Sequence, residues 1–152
     1  MGRMRREWLE VRGRLRDVFS QRRCYVPCSA AEARLLRRHA LEGEVVEPFP
    51  QLSADAAPWE GLRQNERALQ IIRGYAFMHP DVVFCSTSAA LLHGLPVSFN
   101  QLDTIHLYTY AASPTVSTTR IARHAAENPA YTTIDGVRAA SIVQAAVESI
   151  CA

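Results

Sequence analysis

The residue types able to do chemistry here are five histidines, four cysteines, a run of hydroxyls and an uneven supply of arginine. His39, His79, His93, His106 and His124 could each ligate a metal or move a proton, and both tasks need a second group at a defined distance. No two of them stand three to five residues apart and none pairs with a cysteine at ligand spacing, so no metal ligands are expected. His93 precedes Gly94 and reads as a helix-end or packing residue, because the negative end of a helix dipole favours a cation. His106 lies between Ile105 and Leu107, so in a strand its ring points away from the face they share. His124 follows Arg123 and reads as polar surface.

Cys24, Cys28, Cys85 and Cys151 match no zinc pattern, and the first two are too far apart for a C-x-x-C redox motif. They read as structural thiols. Ser86-Thr87-Ser88 would need a G-x-S-x-G turn to present a nucleophile, and that turn is absent. The hydroxyls are expected to cap a helix instead. The glycines are scattered at what read as turns and helix ends, with no phosphate-binding loop, and the acids form no recognisable catalytic pair. The chemistry points to a binding module rather than an enzyme, with no catalytic residue and no cofactor.

Arginine is the exception to this blandness. The chain contains no lysine, and residues 1–38 hold eleven arginines against four acids, whereas the remainder holds six arginines and eleven acids. A formal net charge of +2 conceals that split, which fits a front end meeting a polyanion or an acidic partner. Arg34, Arg37 and Arg38 share one segment, with Arg16, Arg22 and Arg23 nearby, and these six are the candidate DNA-phosphate contacts. Arginine serves phosphate and guanine equally, so no base-reading residue is nominated.

The elements that must position them are legible from periodicity. Trp8, Val11, Leu15, Val18 and Phe19 form one stripe, so residues 5–21 are predicted to be a helix. Tyr25-Val26-Pro27 reads as an extended connector, since the residue before proline avoids helical backbone. Ser29-Ala30-Ala31-Glu32 is a capping box opening a second helix, which Gly43 ends. Residues 44–52 read as two short strands around a proline-bearing turn, 53–60 as a linker and 59–78 as a third helix. Beyond it come a strand at 82–84, a short helix at 87–94 and strands at 104–109, 118–123 and 131–134. Asp135-Gly136 turns that last strand into 137–139, and a closing helix spans 141–152.

The segment Phe84-Cys85-Ser86-Thr87-Ser88-Ala89-Ala90-Leu91-Leu92-His93-Gly94-Leu95 resembles the S-x-x-S-A-A-x-L-H-G-L block of the AbiEi-like antitoxin family of type IV toxin–antitoxin systems. The likeness extends over residues 24–148 through Ile105-His106-Leu107, Arg123-His124 and Asp135-Gly136-Val137. It implies an N-terminal winged helix that binds operator DNA and represses transcription, then an α/β domain that counters a nucleotidyltransferase-like toxin. It places the DNA contacts on the helix carrying Arg34, Arg37 and Arg38, and makes Ser88, Ala89, Ala90, His93, Gly94 and Leu95 the scaffold of the second domain. A full winged helix has three helices before the wing, and two are legible here.

The expected fold is therefore α+β. Arg-rich helices with a winged-helix-like hairpin occupy residues 1–54, and a small mixed α/β domain occupies 55–152. The leading functional expectation is an antitoxin-like regulator that binds DNA in front and a protein partner behind. The alternatives are a protein-interaction domain without DNA binding, or the non-catalytic front half of a Vsr-like endonuclease-type protein. The basic N-terminus runs into an amphipathic segment rather than an apolar one, which fits a cytoplasmic protein with no membrane partner. The apolar last helix leaves a homo-oligomer open.

Overall fold

The computed structural model describes residues 2–109 and 120–150. It is α+β, and it divides into two compact units, Met1–Met78 and His79–Ala152. The division falls after the third long helix, not at the 54/55 position expected from the sequence, because that helix is packed into the first unit.

In the first unit, helix α1 (Gly2–Ser20) buries Trp8, Val11, Leu15 and Val18 along a single stripe. These four join Tyr25, Leu36 and Val45 in one core, with Leu35 and Ala40 against it. Leu15 is 1% exposed, and burying such a side chain contributes about 1.5–3 kcal/mol. Helix α2 (Ala30–Leu41) opens on Ser29, whose hydroxyl accepts from the Glu32 N–H at 3.1 Å. It ends in a Schellman turn: Gly43 N–H donates to Ala40 and Glu44 N–H to His39, with Gly43 at φ +81°. Strands β1 (Val45–Phe49) and β2 (Leu52–Asp55) then pair antiparallel with a register shift between Val46 and Phe49. Tyr25 bridges Ser53 through two backbone hydrogen bonds of 2.8 and 2.9 Å, so the connector joins the hairpin edge.

The expected linker at 53–60 is instead the end of β2 followed by a single-turn helix, α3 (Ala56–Glu60). The helix expected from 59 breaks at Gly61 and resumes as α4 (Gln64–Met78), where Glu66 accepts from the Arg63 N–H at 3.1 Å. Gly74 is no helix-end residue: it lies inside α4, where an added Cβ would come within 3.0 Å of both Cys24 Cβ and Leu52 Cδ2. That close approach binds α4 to the first unit.

The second unit is a five-stranded sheet of order β5-β4-β3-β7-β6, built from β3 (Val83–Phe84), β4 (Ile105–Thr109), β5 (Ile121–Ala125), β6 (Thr132–Ile134) and β7 (Val137–Ala139). The β3–β7 and β4–β5 pairs are parallel, and β3–β4 and β6–β7 antiparallel. Helix α5 (Ser86–Leu92) is buried at every residue and packs against α6 (Ile142–Ile150). Ala89, Ala90 and Ala145 are small enough to allow that approach. Part of the strand expected at 118–123, the end of the helix expected at 141–152, and Cys151 lie outside the described residues. No described helix is long and apolar enough to cross a membrane.

Replacing Gly74 by Ala should destabilise the protein despite the better helix propensity of alanine, worth about 1 kcal/mol. Overpacking costs about 1–3 kcal/mol, so a net loss on the order of 1 kcal/mol is expected. It would be read as a lower urea midpoint at unchanged slope; an unchanged or higher midpoint would contradict the packing described.

Candidate nucleic-acid interface

Helix α2 has 100° between successive residues, so Arg34, Arg37 and Arg38 fall within an arc of about 100°. Ala30 and Leu41 share that arc, and Leu41 is 91% exposed. Leu36 is buried on the opposite side. All three arginines are exposed and make no ion pair with any described residue. Arg34 and Arg38 border the groove between α1 and α2, beside Glu7, Glu10 and Arg14. Arg37 borders the groove on the hairpin side, beside Cys28 and Glu47. The triad thus forms a convex basic ridge with a depression on either flank.

The orientation of that ridge is fixed from behind by Glu32. Its carboxylate accepts from the Tyr25 hydroxyl, from Arg14 at 2.9 Å and from the Cys28 N–H at 3.3 Å. Burial, then the bond to Glu32, pushes the Tyr25 hydroxyl above the ordinary tyrosine range. The same neighbourhood keeps the front thiols apart: Cys24 is buried, with its pKa pushed up to about 12 by burial, while Cys28 is exposed.

The other three candidate arginines are placed differently. Arg16 donates to Asp55 at 3.3 Å, and the Arg23 guanidinium lies 3.9 Å over the Phe77 ring. Arg22 occupies a turn at φ +60°, with its carbonyl accepting from Arg73. Arg12 and Arg3 likewise face Glu44 and Glu7, at 3.9 and 3.3 Å. Arg12, Arg14 and Arg16 therefore tie α1 to other elements, whereas Arg3 pairs within the helix, and α2 brings three of the six candidates together without an acidic partner among the described residues.

The scaffold residues of the second unit have structural positions. Gly94, at φ +80°, closes α5 with a Schellman turn in which Leu95 N–H donates to Ala90 at 2.9 Å. A ring nitrogen of His93 meets the Ala140 carbonyl at 2.7 Å, as a packing role requires. The hydroxyls do not cap the helix as expected. Cys85 is the N-cap and makes no side-chain capping bond, Ser88 accepts from the His106 N–H at 2.8 Å, and Thr87 Oγ1 is buried without a partner among the described residues. Burial on a crowded strand-to-helix junction, with Ser86 at φ +51°, turns these groups inward.

Two groupings escape the sequence. The rings of His106 and His124 meet at 3.0 Å, because parallel pairing of β4 with β5 brings residues 18 apart onto one face. Tyr108 lies two residues beyond His106 and donates to Glu148, whose carboxylate also accepts from the Ser86 N–H. In the first unit, His39 Nδ1, Glu42 and Glu44 place one potential metal ligand each within 4.8 Å of one another. Neither group has a sequence spacing that announces it.

Burial, then the positive charge of a protonated His124, lowers the His106 pKa below 6.5, while Glu148 opposes the shift. The unfolded chain therefore takes up this proton first as pH falls, so the stability contributed is present above about pH 6.5 and lost below it. Ring NMR should find His106 titrating below the ordinary imidazole range and moving part of the way back in His124→Ala. Ordinary titration in the native protein would contradict the pairing. Compared with known protein families, curated proteins and solved structures, the chain matches none of them.

Proposed function

We propose that this chain is a DNA-binding regulator whose first unit lays the outer face of α2 on the phosphate backbone. The observation that carries the reading is the exposure of Arg34, Arg37 and Arg38 without acidic partners, when Arg12, Arg14 and Arg16 on α1 each face a carboxylate. Charge supports it: residues 1–78 hold fourteen arginines and ten acids, and residues 79–152 hold three and five. The β1–β2 hairpin follows α2 directly and takes Tyr25 as a bridging third segment, an arrangement that would suit a wing beside a contacting helix. The second unit then serves a protein partner, in the manner of the AbiEi-like antitoxins that residues 84–95 resemble, with a nucleotidyltransferase-like toxin as the partner class.

A reading without DNA is favoured by one feature, the exposed apolar side chains of Val143, Val147 and Ile150 on α6, which suit a protein surface better than a phosphate one.

The two readings separate in a salt series on random duplex DNA. Each phosphate contact adds about 0.9 to the slope of log K against log salt, so Arg34→Ala/Arg37→Ala/Arg38→Ala should flatten the slope by up to about three units. Arg16→Ala, engaged with Asp55, should change the slope little. A folded protein that fails to bind at low salt, or a triple variant with the parent slope, would remove the DNA reading.

A further inference from the structure

We propose that His39, Glu42 and Glu44 form a site for a divalent transition-metal ion of the zinc class at the C-terminal end of α2. His39 Nδ1 lies 3.4 Å from Glu42 Oε2 and 3.5 Å from Glu44 Oε1. A tetrahedral zinc ion with bonds of about 2.0–2.2 Å spaces its ligand atoms about 3.3–3.6 Å apart. Octahedral magnesium, at about 2.1 Å, would need roughly 3.0 Å between neighbouring oxygens and seldom takes an imidazole. The two spacings from His39 fit zinc better than magnesium, and the imidazole donor favours zinc over the hard oxygen-seeking cations, calcium included.

Three further observations support the site. His39 Nδ1 is sealed from solvent and makes no hydrogen bond with any described residue, although two carboxylates face it. A ring nitrogen in that state is available as a ligand. The ring is held by stacking on Trp8, with centroids 3.5 Å apart and planes 7° from parallel, so its direction is set before any ion arrives. Glu44 reaches the same point through the Schellman turn at Gly43, and its other oxygen lies 3.9 Å from the Arg12 guanidinium, an ion-pair contact that leaves the first oxygen facing His39. The negative end of the α2 dipole adds a field that favours a cation there.

The competing description is a plain imidazolium–carboxylate cluster, and calorimetry of the full chain with zinc chloride at pH 7.5 separates the two. The site should give one binding event that magnesium chloride does not reproduce. His124→Ala, which removes the other histidine grouping, should retain it. Glu42→Gln should weaken it by at least about tenfold; because this carboxylate is largely exposed at a helix end, the variant should keep its fold. His39→Ala should abolish it. Absence of zinc binding, or equal affinity in the parent and Glu42→Gln, would overturn the proposal.

Discussion

The carboxylate of Glu32 is the interaction on which the first unit depends. One side chain, 9% exposed, receives a hydroxyl from the connector, a guanidinium from α1 and a backbone N–H ahead of α2. Each of these elements could be built from local preferences alone, yet none of those preferences states how α2 should lie against α1. Leaving a buried donor without its acceptor costs about 1–3 kcal/mol, so the buried Tyr25 residue favours the arrangement that gives its hydroxyl the Glu32 carboxylate, and the exposed Cys28 N–H adds a weaker bond to the same group. With the inner face of α2 held this way, its outer face has no choice but to carry Arg34, Arg37 and Arg38 outward. The basic ridge is a consequence of a buried acid.

The same economy appears at helix ends. Gly43 and Gly94 each end a helix in left-handed backbone, and each turn returns the chain toward the helix it has just left. After α2 the return brings Glu44 to His39. After α5 it bonds Leu95 back to Ala90, while His93 reaches the Ala140 carbonyl. In the second unit the consequence is a sealed scaffold, since α5 is buried throughout and its polar groups are occupied by β4 and α6 or closed off from water. Nothing in that arrangement exposes a nucleophile: burial pushes the Cys85 thiol well above its ordinary range, and Ser86 is nearly inaccessible.

The legible part of this molecule was the part encoded within a few residues. The Trp8-to-Val18 stripe, the Ser29 cap, the Gly43 stop, the hairpin after it and the Asp135-Gly136 turn all rest on spacings of two to seven residues, and all are present. The illegible part is long-range. Counting charges over residues 1–38 overstated the free positive charge, because the partners of Arg12 and Arg16 are Glu44 and Asp55, beyond that window. His106 and His124 meet only through strand order. Position 74 looked like ordinary helix punctuation, and its role in admitting Cys24 and Leu52 depends on segments far away in sequence. Hydroxyls at 86–88 satisfied a capping pattern, yet tertiary burial redirected them.

The first unit thus divides labour within one charge type: Arg12, Arg14 and Arg16 on α1 pair with acids of other elements, and Arg34, Arg37 and Arg38 on α2 face outward. Mapping backbone amide shifts of the full chain during titration with a short random duplex tests that division most directly. The largest perturbations should fall on Ala30–Leu41 and on the hairpin beyond it and fade as salt rises, with the 86–92 segment unaffected. Perturbations centred on α1 or on the second unit, or none at low salt, would contradict it.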